Sequence, residues 1–219
     1  ICEPQMTGIG GDCFALFTKP GSDEIHALNG SGRAPAGADS AALRARGHDT
    51  VPLNSPDAVT VPGAIDAFCR LSADHGKLGL DTLLAPAIHY AEAGVPVAPR
   101  VAFDWPVAAK ALQGHAIGYF TKDGAALKTG DLFRAPGQAE VLRRIARHGR
   151  TAFYEGEVAE DMIAALTALG GVHDAADFAA AESNYTDPVS GDYKAATLVE
   201  HPPNGQGATA ILLLNILSH

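Results

Sequence analysis

The sequence predicts an α+β fold rather than an alternating α/β wind. Three observations lead there: short β-prone runs near both ends, a middle in which apolar residues recur at the helical period, and no regular strand–helix alternation. Of the 219 residues, 47% are hydrophobic, enough for a sizeable core and too many for a disordered chain.

Taken in order, "CFALFT" (13–18) and "EIHAL" (24–28) flank the turn-rich "KPGSD" and read as a hairpin. "HALNGSGRAPAG" (26–37) follows, with three glycines, a proline and a single long cation, Arg33. Its glycine and proline argue against a regular helix or a central strand, so it reads as a shaped loop presenting one guanidinium. "ADSAALRARG" predicts a short helix closed by Gly47. An extended "VTV" then enters Pro62-Gly63 and a helix with Ile65, Phe68 and Leu71 on one side, stopped at Gly76.

"LDTLLAPAIHYAEAGVPV" reads as a helix with Asp81 at its N-cap and Gly94 as its stop. Pro86 is expected to kink it or to mark the first turn of its main part. "TKDGAALKTGDLF" carries two turn signals and predicts a short hairpin. "APGQAEVLRRIARHG" and "EGEVAEDMIAALTALGG" are amphipathic helices, the second with Val158, Met162, Leu166 and Leu169 in period. "DAADFAAA" is a short capped helix, "VSGDYKAATLVEHP" a hairpin, and a last apolar helix starts near Gly207. No repeat, low-complexity tract or linker divides residues 1–219. The opening "ICEPQM" and the apolar close both read as mid-domain sequence, so a fragment truncated at both ends is expected.

Lys plus Arg total 16 against 25 for Asp plus Glu, a net charge of −9. This balance argues against nucleic acid or anionic membrane as the main partner, because both require a basic surface. No apolar run is long enough to cross a membrane. Cys2, Cys13 and Cys69 form no CxxC pair and read as small buried apolar residues. Periplasmic and cytoplasmic locations both fit.

"TGIGGDCF" (7–14) fails as a dinucleotide fingerprint, since Cys13 stands at the last glycine position and a strand-like run follows. Its glycines instead suggest a tight backbone path against another element. The nine histidines show no i, i+4 pair or convergent carboxylates, which leaves surface or capping roles and no metal site. "RRIAR" (143–147) reads as a solvated helix face, and "EGEVAED" as acidic complement to a helix N-terminus. There is no GxSxG elbow and no Cys/His signature.

Six blocks in order carry a resemblance: "EPQMTGIGGDCFAL", "RAPAGA", "VTVPGAIDAF", "LLAPAIHYAEAGVPV", "AFYEGEVAEDMIAAL" and "HPPNGQGATAILLLNIL". The first resembles the E-P-x-x-S/T-G-I-G-G-G/D block of the γ-glutamyltranspeptidases, and together they span almost the whole chain. The resemblance implies an N-terminal-nucleophile hydrolase with a four-layer αββα sandwich, here only its large-subunit portion. It implies self-cleavage of a precursor, with the nucleophile on a small subunit that begins with threonine. No catalytic residue is then expected in this chain, which would be inactive alone. No metal or organic cofactor is implied; the implied partner is the small subunit, and the implied substrates are γ-glutamyl amides such as glutathione.

In the family the loop after the first hairpin reads Asp-x-Arg-Glu-x-Ala-Pro, and its arginine grips the α-carboxylate of the donor. Aligning on Ala34-Pro35 puts Ser31 at the arginine position and Gly32 at the glutamate position, with Arg33 two places later. Arg33 and Ser31 are therefore the candidate substrate-binding residues. Three readings of Arg33 stay open. It swings into the pocket on a loop loosened by Gly30 and Gly32; the clamp is lost and the protein is a divergent acylase of the glutaryl/cephalosporin type; or Arg33 is a solvated surface cation. A non-catalytic scaffold homologue is the reading from outside the enzyme class.

Overall fold

In the computed structural model, which describes residues 1–218, the first hairpin forms as β1 (Cys13–Thr18) and β2 (Ile25–Gly30), with Ala15 opposite Leu28. The far edge of β2 pairs with Asn184–Thr186, so β2 is the central strand of a three-stranded antiparallel sheet. The strand runs two residues past the predicted 24–28, so the shaped loop read over 26–37 begins only after Gly30. Ala27 and Leu28 are fully buried, and their burial and paired backbone outweigh the low strand preference of Asn29 and Gly30.

Helix α1 (Ser40–Ala45) is capped by the Asp39 carboxylate and followed by Gly47 at φ +84°, as predicted. A 3-10 turn (Pro56–Ala58) and an extended stretch lead to α2 (Ala64–His75). Only the first turn of α2 is deeply buried, through Ala64, Ile65, Asp66 and Ala67. Phe68, expected on the buried side, is 43% exposed, while its neighbour Cys69 is the residue that packs against the main core. Helix α3 (Leu80–Ala93) starts at Gly79 rather than at an Asp81 cap. Asp81 sits instead in the first turn, where its charge still favours the helix N-terminus. Pro86 lies in the interior of α3.

β3 (Val95–Pro96) precedes α4 (Pro99–Ala109) and α5 (His115–Phe120), two helices with no signal picked out in the sequence. The hairpin predicted over 121–133 is reduced to one bridge, Lys122 to Ala125, around a turn with Asp123 and Gly124 at positive φ. Leu132–Phe133 (β4) pairs instead with β3, an arrangement held by Val97 N–H to the Asp131 carbonyl at 2.8 Å. Around it forms a satellite core of Val97, Val101, Trp105, Leu127 and Phe133, with Trp105 Nε1 donating to the Phe120 carbonyl at 2.8 Å.

Helices α6 (Pro136–His148), α7 (Thr151–Tyr154) and α8 (Glu157–Ala168) build the main core with α2 and α3. That core comprises Val61, Ile65, Leu142, Ile145, Phe153, Tyr154, Ala159 and Phe178. Arg143 and Arg144 face outward on Glu92, Glu140 and Glu157, the predicted solvated face. Helix α8 stops one residue before Leu169, which is exposed rather than in the apolar stripe.

Helix α9 (Ala175–Ala179) has a full capping box between Asp174 and Asp177. β5 (Asn184–Thr186) completes the first sheet, and β6 (Val189–Tyr193) with β7 (Ala196–Glu200) forms the predicted second hairpin. Helix α10 (Gly207–Leu217) packs on that hairpin, with Ile211 pressed against Gly191, where a side chain would collide with it. Its Leu212, Leu213, Ile216 and Leu217 face outward and stay exposed. Among the described residues no helix is long and apolar enough to cross a membrane.

Other expectations change as well. Cys2 is exposed and Cys13 and Cys69 are only half-buried; all three are free thiols. His173 is a core residue, its Nε2 against the Val59 carbonyl at 2.8 Å, rather than a surface group. His219 lies outside the described residues. Of the glycines in 7–14, Gly11 runs against another element, its carbonyl accepting from Gly63 N–H at 3.1 Å and Ala64 N–H at 2.9 Å, whereas a Cβ at Gly8 or Gly10 would meet nothing within 4 Å.

Candidate functional site

The two candidate residues sit where β2 leaves the sheet and meets the loop entering α2. Ser31 N–H donates to Asn29 Oδ1 at 2.9 Å, and Gly32 N–H donates to Asp12 Oδ1 at 2.7 Å. The Arg33 carbonyl accepts from Val61 N–H at 2.9 Å. Asn29 Nδ2 reaches Asn204 Oδ1 at 3.4 Å, bringing the turn before α10 to the same place. Two backbones are thus pinned together over 30–33 and 60–63.

Glycine is required here for space. A Cβ on Gly32 would overlap the Val61 carbonyl oxygen and lie 2.7 Å from Thr60 Oγ1. On Gly30 it would lie 2.5 Å from Ala67 Cβ, and on Gly63 it would overlap the Gly30 carbonyl. The loop is therefore locked, which corrects the expectation that Gly30 and Gly32 loosen it. Arg33 remains exposed, and among the described residues its guanidinium has no ion-pair partner. Ser31, half-buried beside it, has an uncommitted hydroxyl. The arrangement is a fixed platform carrying one free, directional cation.

Behind the platform lies a buried polar hub that sequence reasoning missed. Tyr154, 1% exposed, donates its hydroxyl proton to the Pro62 carbonyl at 2.7 Å and accepts from Asp66 N–H at 3.1 Å. Asp66 Oδ1 accepts from Arg150 Nε at 2.7 Å, while its Oδ2 accepts from Ser183 N–H at 2.7 Å and Ser183 Oγ at 2.6 Å. Arg150 also donates to the Ala181 carbonyl at 2.6 Å and stacks over the Tyr154 ring at 5.0 Å.

Burial alone would raise the Asp66 carboxyl, but the Ser183 hydrogen bonds and the Arg150 ion pair outweigh it and hold Asp66 below the ordinary aspartate value. Burial pushes the Tyr154 hydroxyl up, so it stays protonated and able to donate. Cys69, nearby, is raised to about 11 by burial and by the Asp66 charge, which makes it a poor nucleophile.

A separate cleft of about 460 Å3 lies at the other end of α2 and β2, beside Phe17, His26, His75 and Tyr185. Tyr185 Oη donates to Asp74 Oδ2 at 2.7 Å there, and burial with the Asp74 charge raises it to about 12. Among the described residues no group of three or more His, Cys, Asp or Glu side chains could hold a metal ion.

Comparison with known proteins fits the fold. The γ-glutamyltranspeptidase family model matches residues 1–219. The chain is 35% identical to the glutathione hydrolase-like YwrD proenzyme of Bacillus subtilis and 33% identical to the oxamate amidohydrolase proenzyme of Klebsiella pneumoniae. Those matches cover 100% and 99% of this chain but 42% of each relative. The crystal structure of cephalosporin acylase from Bacillus halodurans superposes with a TM-score of 0.91 at 37% identity, over 100% of this chain and 42% of that one. The fold is therefore that of the N-terminal-nucleophile hydrolases, in a portion spanning well under half of these relatives. The chain belongs to the γ-glutamyltranspeptidase family.

Proposed function

We propose that the whole protein hydrolyses or transfers an acyl group through a threonine acyl-enzyme, and that residues 1–219 are its large-subunit region. In this reading the threonine opens a small subunit outside this chain, its own α-amine serving as base. Backbone N–H groups hold the developing oxyanion. No catalytic residue lies in residues 1–219, whose part is to bind and orient the donor. A segment carrying the nucleophile would cover the exposed apolar side of α10 and the edge of β1, where Phe14 and Leu16 are exposed.

One observation carries the substrate reading: a free guanidinium, Arg33, on a locked loop. A fork of N–H donors suits a carboxylate, which it can hold by two parallel bonds. The donor is accordingly an amide whose acyl group bears a carboxylate, with γ-glutamyl amides such as glutathione the first class. Ser31, with its free hydroxyl beside Arg33, supplies a further donor to the same carboxylate.

A second reading is favoured by Gly32, which has no room for a side chain, let alone a glutamate. The loop's own tip then supplies no carboxylate for the ammonium of a glutamyl group, and the Asp12 carboxylate beside it is engaged by Gly32 N–H at 2.7 Å. A glutaryl-type donor, which has no ammonium, then fits better. Two relatives named for activities outside the glutathione class, a cephalosporin acylase and an oxamate amidohydrolase, favour the same reading.

The test uses the complete, self-processed protein. Arg33→Ala should cost on the order of 2–4 kcal/mol in transition-state binding with γ-glutamyl or glutaryl anilides, read from kcat/KM. A loss of less than about threefold with both donors would return Arg33 to the solvated surface.

A further inference from the structure

Tyr154 has no path to a substrate, yet it is tied to the platform that presents Arg33. We propose that Tyr154 is a positioning residue for the Arg33 loop, holding it from behind through the Pro62 carbonyl, with Asp66, Arg150 and Ser183 holding Tyr154 and the start of α2. This rests on the reading of Arg33 as the donor's carboxylate grip.

The linkage is short and each step is a contact. The Tyr154 hydroxyl is shared between Pro62 and Asp66 N–H, so it fixes the chain on both sides of Gly63. Val61 N–H then holds the Arg33 carbonyl, and Gly30, Gly32 and Gly63 are packed too closely for the two backbones to slide independently. A displacement of 60–63 is therefore passed to Arg33. Tyr154 cannot drift, because it is buried in the main core with its ring under Arg150, whose Nε is committed to Asp66. Ser183, with two bonds to Asp66, ties this to the segment before β5. A bidentate grip depends on direction, so a shift of about 1 Å in its platform is worth up to about a hundredfold in kcat/KM. The cost falls on donors that use the grip and spares those that do not.

That asymmetry separates positioning from mere support. The complete processed protein is assayed with donor pairs that differ by one carboxylate: γ-glutamyl against 4-aminobutyryl anilide, and glutaryl against butyryl anilide. The readout is the ratio of kcat/KM within a pair. Tyr154→Phe keeps the ring and removes only the hydroxyl. It should lower the ratio about tenfold through KM of the carboxylate donor, with its kcat kept within about twofold. In the Arg33→Ala background it should lower the ratio no further, since the grip is already gone.

If Tyr154→Phe slows both members of a pair equally, its role is structural and the inference fails while the Arg33 reading stands. If Arg33→Ala itself leaves both ratios unchanged, the carboxylate-grip reading fails and the inference with it. Should Tyr154→Phe not accumulate as processed protein, Ser183→Ala removes one bond to Asp66 and replaces it as the test. It should lower the ratio about threefold, and an unchanged ratio overturns the proposal.

Discussion

Two glycine-rich stretches, similar on paper, do different things in this molecule. "TGIGGD" (7–12) places Gly8 and Gly10 in open space, where a side chain would meet nothing. "GSG" (30–32) is wedged between the Val61 carbonyl, Thr60 and Ala67, where a side chain cannot fit. In the first, the glycines keep room around them while the Gly11 carbonyl accepts from Gly63 N–H at 3.1 Å and Ala64 N–H at 2.9 Å; in the second, absent side chains let two chain segments interlock. Glycine means freedom only where nothing is packed against it. A stiff loop is also the better place for a guanidinium that must meet a substrate in one orientation.

The contrast can be broken most directly at Gly32. Gly32→Ala inserts a methyl group into the Val61 carbonyl and must separate the 30–33 and 60–63 segments. A loss of processed protein, or at least a hundredfold drop in kcat/KM for a carboxylate donor, is expected, at about 1 Å of displacement. Activity within about threefold of wild type would show the loop to be pliable after all.

Next in size is the hub beneath the platform. Asp66 accepts three hydrogen bonds, one of them from the partly exposed Arg150, so Asp66→Asn should weaken the protein by about 1–3 kcal/mol at pH 7. The sign of its pH dependence follows from the lowered Asp66 pKa. A carboxylate whose folded pKa lies below its unfolded value adds stability above the unfolded value, and that stability is lost as pH falls through the folded one. The gap between wild type and Asp66→Asn in urea unfolding should therefore be wide at pH 7 and shrink below about pH 4. An equal gap at pH 7 and pH 3 would mean that the charge is not what matters.

The smallest effect is expected at Gly10→Ala, where the structure leaves room and φ is not positive. Stability of the complete protein should change by no more than about 0.5 kcal/mol. A larger loss would place Gly10 against a part of the protein outside these residues, and would make the two stretches alike.

Much of the architecture was legible because it is written locally. The first and last hairpins, the Asp174 capping box, the Gly47 stop and the start of α10 all follow from turn residues and periodicity within a few positions. What was not legible depends on distance along the chain. β2 is a central strand because Asn184–Thr186 returns to it, and β4 pairs with β3 rather than across its own turn. The hub joins Asp66 to Arg150, Tyr154 and Ser183, residues 84 to 117 positions away, and no local spacing announces it. Arg33 was visible as an isolated cation among small residues. That its loop is rigid was not, because the same glycines permit motion or close approach depending on Val61 and Ala67.

In the proposed function Arg33 grips the donor's carboxylate from a platform held by the Val61 and Asp12 hydrogen bonds. The most direct test of that grip is a crystal structure of the complete processed protein with glutamate or glutarate bound. The account predicts the ligand carboxylate on the Arg33 guanidinium by two parallel hydrogen bonds, with the Gly32 to Asp12 and Val61 to Arg33 bonds intact. A carboxylate held elsewhere, with Arg33 in solvent, would contradict it.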